Sequence, residues 1–379
     1  AEVAVLVAVV KKLCTFLTLA GRRRTSLLVV GGDNLGQDMP RKSNKKKTGS
    51  VRRSAAASAV DKDALNRELF RACAFGNYEN VRRCLENGAD VNGDESVTPL
   101  LLACELGHLA VARLLLEKGA GVNHATDDGT PDETFPLFHA CMVGHLDIAR
   151  LLLEKGADAK QTRSDGTSAL YVAAKNGHVD VARLLLEKNA NVNQPAEKNG
   201  CSPLYIAAFG GHIDVARLLL ENGADVKQTK NDGSVPLFIA CQQGHLDVAR
   251  LLLEHGADIN QATEMGGTSL CVAYAGDHFE LARVLLDNGA DVDYAANDGC
   301  TLLFLSCQKG FLKTARRLLE NDADVDRSDK TGATALHVAC ESGNIKAVRL
   351  LLQFDATINQ ADDDGNSPLY YACRKDDNM

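Results

Sequence analysis

The chain has 379 residues, 45% of them hydrophobic, with no tryptophan and only 5% aromatic residues. It can bury a core, and that core must be mostly aliphatic. The formal charge of −8 is uneven: residues 1–60 hold 12 Lys/Arg against 3 Asp/Glu, which leaves 30 against 47 in residues 61–379. A basic leader precedes an acidic body, and the body would repel a phosphate backbone.

Residues 1–20, AEVAVLVAVVKKLCTFLTLA, are apolar, but Lys11 and Lys12 split the run. No stretch of about 18 uncharged apolar residues results, so a membrane span is not expected. A secretory signal carries its positive charge before the apolar run, whereas here the charge follows it. Opening on Ala1 rather than Met, the chain reads as a fragment or as carrying an artefact or targeting sequence over residues 1–30. Residues 31–60 are polar and basic, and they are expected to be disordered. Within them RKSNKKK at 41–47 fits a nuclear-import or anionic-surface patch as well as a solvated run.

From residue 61 the chain repeats itself. The residue after a turn glycine recurs as Asn77, His108, His145, His178, His212, His245, His278, Phe311 and Asn344, most often 33 residues apart. A tenth unit would put Asp377 in that slot. The body therefore reads as nine full units and a truncated tenth over 61–379.

Each unit is expected to hold two helices. In CSPLYIAAFGGH, Ser202 can cap the first helix, and Pro203 suits its first turn, where a missing N–H costs nothing. In GHLDVARLLLEHGADIN, Val248, Leu251 and Leu252 make one apolar stripe, and Ala249 with Leu253 a second. A helix apolar on two sides packs between two neighbours. Asp247, Arg250 and Glu254 form the remaining polar stripe. Gly256 sits where a left-handed cap is needed, and Asn189, Asp322 and Asp355 take that place elsewhere. The polar segment that follows reads as a long hairpin-like loop. Asn66, Arg67, Glu68, Arg71, Asn80, Arg82 and Arg83 replace frame positions in the opening unit, as a water-facing cap requires.

These residues match the pattern G-x-T-P-L-H-x-A-x-x-x-G-H…LLL-x-x-G-A-D-V-N, as in TPLLLACELGH at 98–108 and TALHVACESGN at 334–344. Over about 64–379 the chain resembles the ankyrin repeat family. The resemblance implies an all-α solenoid of helix, turn, helix and long loop, with about 33 residues per unit. One departure is consistent. The His of T-P-L-H survives only as His337; elsewhere the slot holds Phe70, Leu101, Phe138, Tyr171, Tyr205, Phe238, Cys271, Phe304 and Tyr370. Rings there fill core space, which puts the usual loop-bracing bond of that His in doubt.

His-x-Asp occurs four times, at His145, His178, His212 and His245. Equivalent residues of stacked units lie on the order of 10 Å apart, too far to share a metal or form a disulfide. Within a unit no repeated Ser or Cys nucleophile stands beside the pair. The pair thus reads as scaffold, with the His packed under a turn. Cysteines are similar: Cys73, Cys104, Cys141, Cys241, Cys307, Cys340 and Cys373 share one slot with Ala174, Ala208 and Tyr274, as small buried residues do. Free thiols in this number point to a reducing compartment, the cytoplasm or the nucleus. There is no phosphate loop and no Cys-x-x-Cys, and DDDG at 362–365 reads as a turn rather than a calcium loop.

By the resemblance, the two residues before each turn glycine point into a concave groove that binds other proteins. Here these are Glu105 and Leu106, Met142 and Val143, Lys175 and Asn176, Phe209 and Gly210, Gln242 and Gln243, Gln308 and Lys309, and Glu341 and Ser342. They vary while the frame around them does not. The expected function is a monomeric, non-enzymatic scaffold or adaptor without cofactor or small-molecule substrate, binding protein partners rather than nucleic acid or membrane. The alternative is the regulatory or targeting arm of a larger enzyme or channel. Phe209, near the middle of the array, is expected to be exposed rather than core.

Overall fold

A computed structural model describes residues 50–93, 97–125 and 134–376, with side chains from 62 to 374. The stretches 1–20 and 41–47, and residues 31–49 of the leader expected to be disordered, lie outside the described residues. Those described form 19 helices joined by turns, and extended pairing is limited to isolated bridges such as Thr162 with Ser168. The repeat body is a compact unit that begins at Ala57. Its opening helix runs Ser50–Ala74, so residues 50–60 are helical where the composition predicted disorder. The run of alanines from Ala55 to Ala57 has the highest helix propensity and extends the first turn of the body backwards.

Most later units repeat one local design, with variations. Ser202 Oγ accepts from the Tyr205 N–H at 3.1 Å, and Pro203 opens the helix Pro203–Gly210. Thr98, Ser168 and Thr301 cap in the same way. Gly211, with φ of 68°, turns the chain into the second helix, Ile213–Glu221. That helix ends on another left-handed residue. It is glycine at most places and Asn189, Asp322 and Asp355 at φ of 61°, 62° and 61°, as the sequence predicted.

The leucine and alanine stripes of successive second helices, with the small residues of the first helices, form one continuous core. Because each helix is buried between the units on either side, stability accrues from nearest neighbours rather than from one central cluster. At the opening face Arg67, Glu68, Arg71, Arg82 and Arg83 meet solvent, and Glu68 pairs with Arg83 at 2.8 Å. Asn66 and Asn80 are only half-buried, and Asn66 accepts from the Asp90 N–H at 2.8 Å.

Five cysteines of the shared slot, Cys73, Cys104, Cys141, Cys241 and Cys307, are fully buried. Cys340 is half-buried and Cys373 exposed, against the expectation for all seven. No first helix lies beyond that of Cys373 among the described residues, while Cys340 stays half-buried even with Pro368–Asp376 packed on its helix. Burial pushes the thiols of Cys73, Cys241 and Cys307 up to about 12, and those of Cys104 and Cys141 further up. A raised folded-state value means stability is complete below the ordinary thiol value of 9.0 and falls as pH climbs from there toward 12. Titration of the native chain with a thiol reagent at pH 8 is expected to label Cys373 first and those five only on unfolding. The urea midpoint is expected to fall between pH 9 and 11, less so when Cys73, Cys241 and Cys307 are Ala.

Candidate protein-binding surface

The repeated histidine is not confined to its own unit. Its ring crosses to the preceding unit. The Nε2–H of His108 donates to the Ala74 carbonyl at 3.1 Å, and His145 to Glu105 at 3.3 Å. His178, His212 and His245 reach the carbonyls of Met142, Lys175 and Phe209 at 3.2, 3.0 and 3.1 Å. Each ring lies flat against the turn glycine of that preceding unit. A Cβ on Gly211 would stand 2.6 Å from His245 Nδ1, and one on Gly107 2.7 Å from His145 Cε1. Asn344 replaces the bond with Nδ2 donating to Cys307 O at 3.2 Å.

The acceptor in four of these bonds is the backbone of a predicted groove residue: Glu105, Met142, Lys175 or Phe209. The next unit therefore holds these residues by the main chain, through a bond that does not involve their side chains. Lys175, Asn176, Phe209, Gly210, Gln242, Gln243, Gln308, Lys309, Glu341 and Val143 are exposed. Phe209 is 48% exposed although every apolar neighbour in its helix is buried. Leu106 and Met142 are half-buried and pack on the core, so part of each belongs to the frame. Glu105 and Ser342 are half-buried too. The Glu105 carboxylate stands 3.8 Å from His139 Nδ1. Asn176 is partly spent on the frame: its Nδ2 donates to the carbonyls of Met142 and Val172.

In the opening unit the equivalent pair is Ala74 and Phe75, which the sequence pattern does not single out. Phe75 is 84% exposed, more open than Phe209. The register that placed Phe209 also reaches Phe75 from Gly76.

The far edge of the stack is braced by side chains from the long loops. Asn92, Asn193 and Asn260 Oδ1 accept from the N–H of Gly121, Asp225 and Asp291 in the following loop at 2.9, 2.8 and 2.9 Å. Loop tips join through backbone, as in Glu197 N–H to Asp165 O at 2.9 Å. His337 accepts from Thr334 N–H at Nδ1 and donates from Nε2 to Asn366 O at 3.2 Å, the loop brace implied by the resemblance. Replacing that His does not always remove the brace. Tyr205 buries its ring and still bonds Ser234 Oγ through its hydroxyl at 3.1 Å. Phe138 and Phe304 supply buried rings alone, and Tyr370 is exposed. The DDDG segment is a turn: Asp362 Oδ1 accepts from Asn366 N–H at 2.8 Å. Among the described residues no three His, Cys, Asp or Glu cluster as metal ligands, and no helix is long and apolar enough to cross a membrane.

The histidine contact makes two substitutions informative. Gly211→Ala adds a Cβ at positive φ and against the His245 ring, and is expected to cost about 1–3 kcal/mol in urea unfolding. His245→Ala removes the donor to Phe209 O and is expected to cost roughly 1 kcal/mol. The double variant should fall short of the sum, since both act on one contact.

The family of ankyrin repeats (3 copies) matches residues 57–126, 124–196, 193–263, 261–329 and 303–379. No curated protein matches the chain. Ankyrin repeats are protein–protein interaction modules, and proteins built from them are typically non-enzymatic. Matched along its whole body and built throughout of paired helices locked unit to unit, the chain belongs to the ankyrin repeat family.

Proposed function

We propose that this chain is a non-enzymatic scaffold or adaptor that binds a partner protein along the row of side chains preceding the turn glycines. The observation that carries the reading is the division of labour at Phe209. Its carbonyl is held by His245, its ring is 48% exposed, and its slot elsewhere holds Glu105, Met142, Lys175, Gln242, Gln308 and Glu341. A core slot does not accept that range, because an unpaired buried charge costs several kcal/mol. An exposed aromatic on a fixed backbone loses little conformational entropy when a partner covers it, and central aromatics carry much of an interface's binding energy. Gly210 and Gly211 follow it and leave the ring unshielded. The acidic body favours a partner with a basic surface, which would speed encounter at low salt.

The test compares the native chain with Phe209→Ala in affinity capture from a cell lysate and in thermal unfolding. The expected outcome is an unchanged melting temperature with partner affinity weakened by more than about 1 kcal/mol. Destabilisation of roughly 3–5 kcal/mol would instead identify a core residue and overturn the register of the whole groove.

A further inference from the structure

We propose that the junction between the seventh and eighth units is a hinge, dividing the stack into two blocks that open and move separately. From the second unit onward the first helices of neighbours pack directly, and so do the second helices, at every junction but this one. Here Ser269–Ala275 packs only sparsely against Leu302–Lys309, and Phe279–Asp287 only sparsely against Leu312–Glu320.

Four substitutions, all visible against the chain's own other units, account for the gap. Tyr274 occupies the slot that otherwise holds Cys or Ala, and it is buried, so a phenol ring wedges the two first helices apart. Phe279 packs edge-on against that ring at 6.2 Å. Asp277 replaces the turn glycine and is held at φ of 56°, a conformation that disfavours a side chain. Phe311 replaces the histidine, and its ring has no N–H to give the Ala275 carbonyl. It stands 58% exposed instead of lying on a glycine. Leu305 reports the gap independently. It is 39% exposed, whereas Leu102, Val172, Ile206, Ile239 and Val338 in the same slot are buried.

A cavity of about 340 Å³ fills the space, bordered by Tyr274, Ala275, Asp277, Phe311 and Lys313. With one acid and one base on its wall it selects no charge class, and its consequence is mechanical. The opposite edge stays closed. Asp293 Oδ1 accepts from the Asp324 N–H at 3.0 Å, and Asp298 O from Lys330 N–H at 3.2 Å. The second helices still touch through Arg317, which lies 5.9 Å over the Phe279 ring. A joint fastened along its loops and sparsely packed between its helices bends about the loop edge, which changes the curvature of the proposed binding row between Gln243 and Gln308. In a stack held by nearest neighbours, a weak junction also uncouples the units on either side.

Hydrogen exchange of the full chain in low urea tests this. Amides of Leu302–Lys309, Leu312–Glu320, Ala335–Glu341 and Ile345–Gln353 are expected to open as one set, with a step in protection after Asp287. The repaired chain, Tyr274→Ala with Asp277→Gly and Phe311→His, is expected to lose the step, its last units exchanging about tenfold more slowly, as restored contacts predict. Phe311→His alone changes an exposed side chain and should shrink the step by itself. An even gradient of protection from the fifth unit onward would overturn the proposal. So would a step that persists unchanged in both variants.

Discussion

The structure depends on one contact repeated along it: an imidazole that donates to a backbone carbonyl of the preceding unit while lying against that unit's turn glycine. A hydrogen bond of this kind contributes only about 1 kcal/mol net. Its consequence exceeds that figure because it acts between units. An isolated helix pair of this size buries too little surface to fold, so every unit borrows stability from its neighbours. The contact ties the turn of one unit to the start of the second helix of the next. It also explains why glycine stands in the turn for two separate reasons. The backbone there has positive φ, and at Gly211 a Cβ would stand 2.6 Å from the ring that must lie on it.

The same contact also bears on the row of side chains proposed to bind a partner. The carbonyls of Glu105, Met142, Lys175 and Phe209 accept the histidine bonds, so the frame takes hold of a backbone atom. Side-chain identity at those positions is then irrelevant to the hold. A charge, a thioether or an aromatic ring may follow one another without loss of register. This is how one chain keeps GHxDVARLLLE nearly constant and varies the residues just before it. Leu106 and Met142 mark the limit of the separation, since both still pack on the core. Substitution there disturbs core packing, whereas at the exposed Lys175 or Gln242 it does not.

Much of this was legible in the sequence, for a physical reason. A repeat array is its own alignment, so slots that admit only Cys or Ala, or only Gly, Asn and Asp, declare their constraint without homologues. The left-handed caps at Asn189, Asp322 and Asp355 and the Ser202 cap were read that way. What escaped was whatever reached between units. The histidine was placed under a turn, but that the turn belongs to the preceding unit is a fact about stacking geometry, absent from any one unit. Tyr205 was read as a space-filling ring, and the bond from its hydroxyl to Ser234 spans two loops. The buried-thiol reading failed at Cys373 because burial there needs a further helix, not a suitable residue.

The junction after the seventh unit shows the same limit from the other side. Tyr274 in the cysteine slot and Phe311 in the histidine slot are each visible as exceptions. Taken singly, each looks like a tolerable exchange: one apolar residue for another, one ring for another. They matter together because both face the same neighbour. A larger group in the small-residue slot moves the next first helix outward. A ring without an N–H cannot draw the turn back, and Asp277 denies that ring a glycine to rest on. The loops, braced by Asp293 and Asp298, do not share the displacement. Changes that look tolerable one by one therefore do together, on one interface, what none would do alone, because in a linear stack an interface has no other part of the fold to compensate for it.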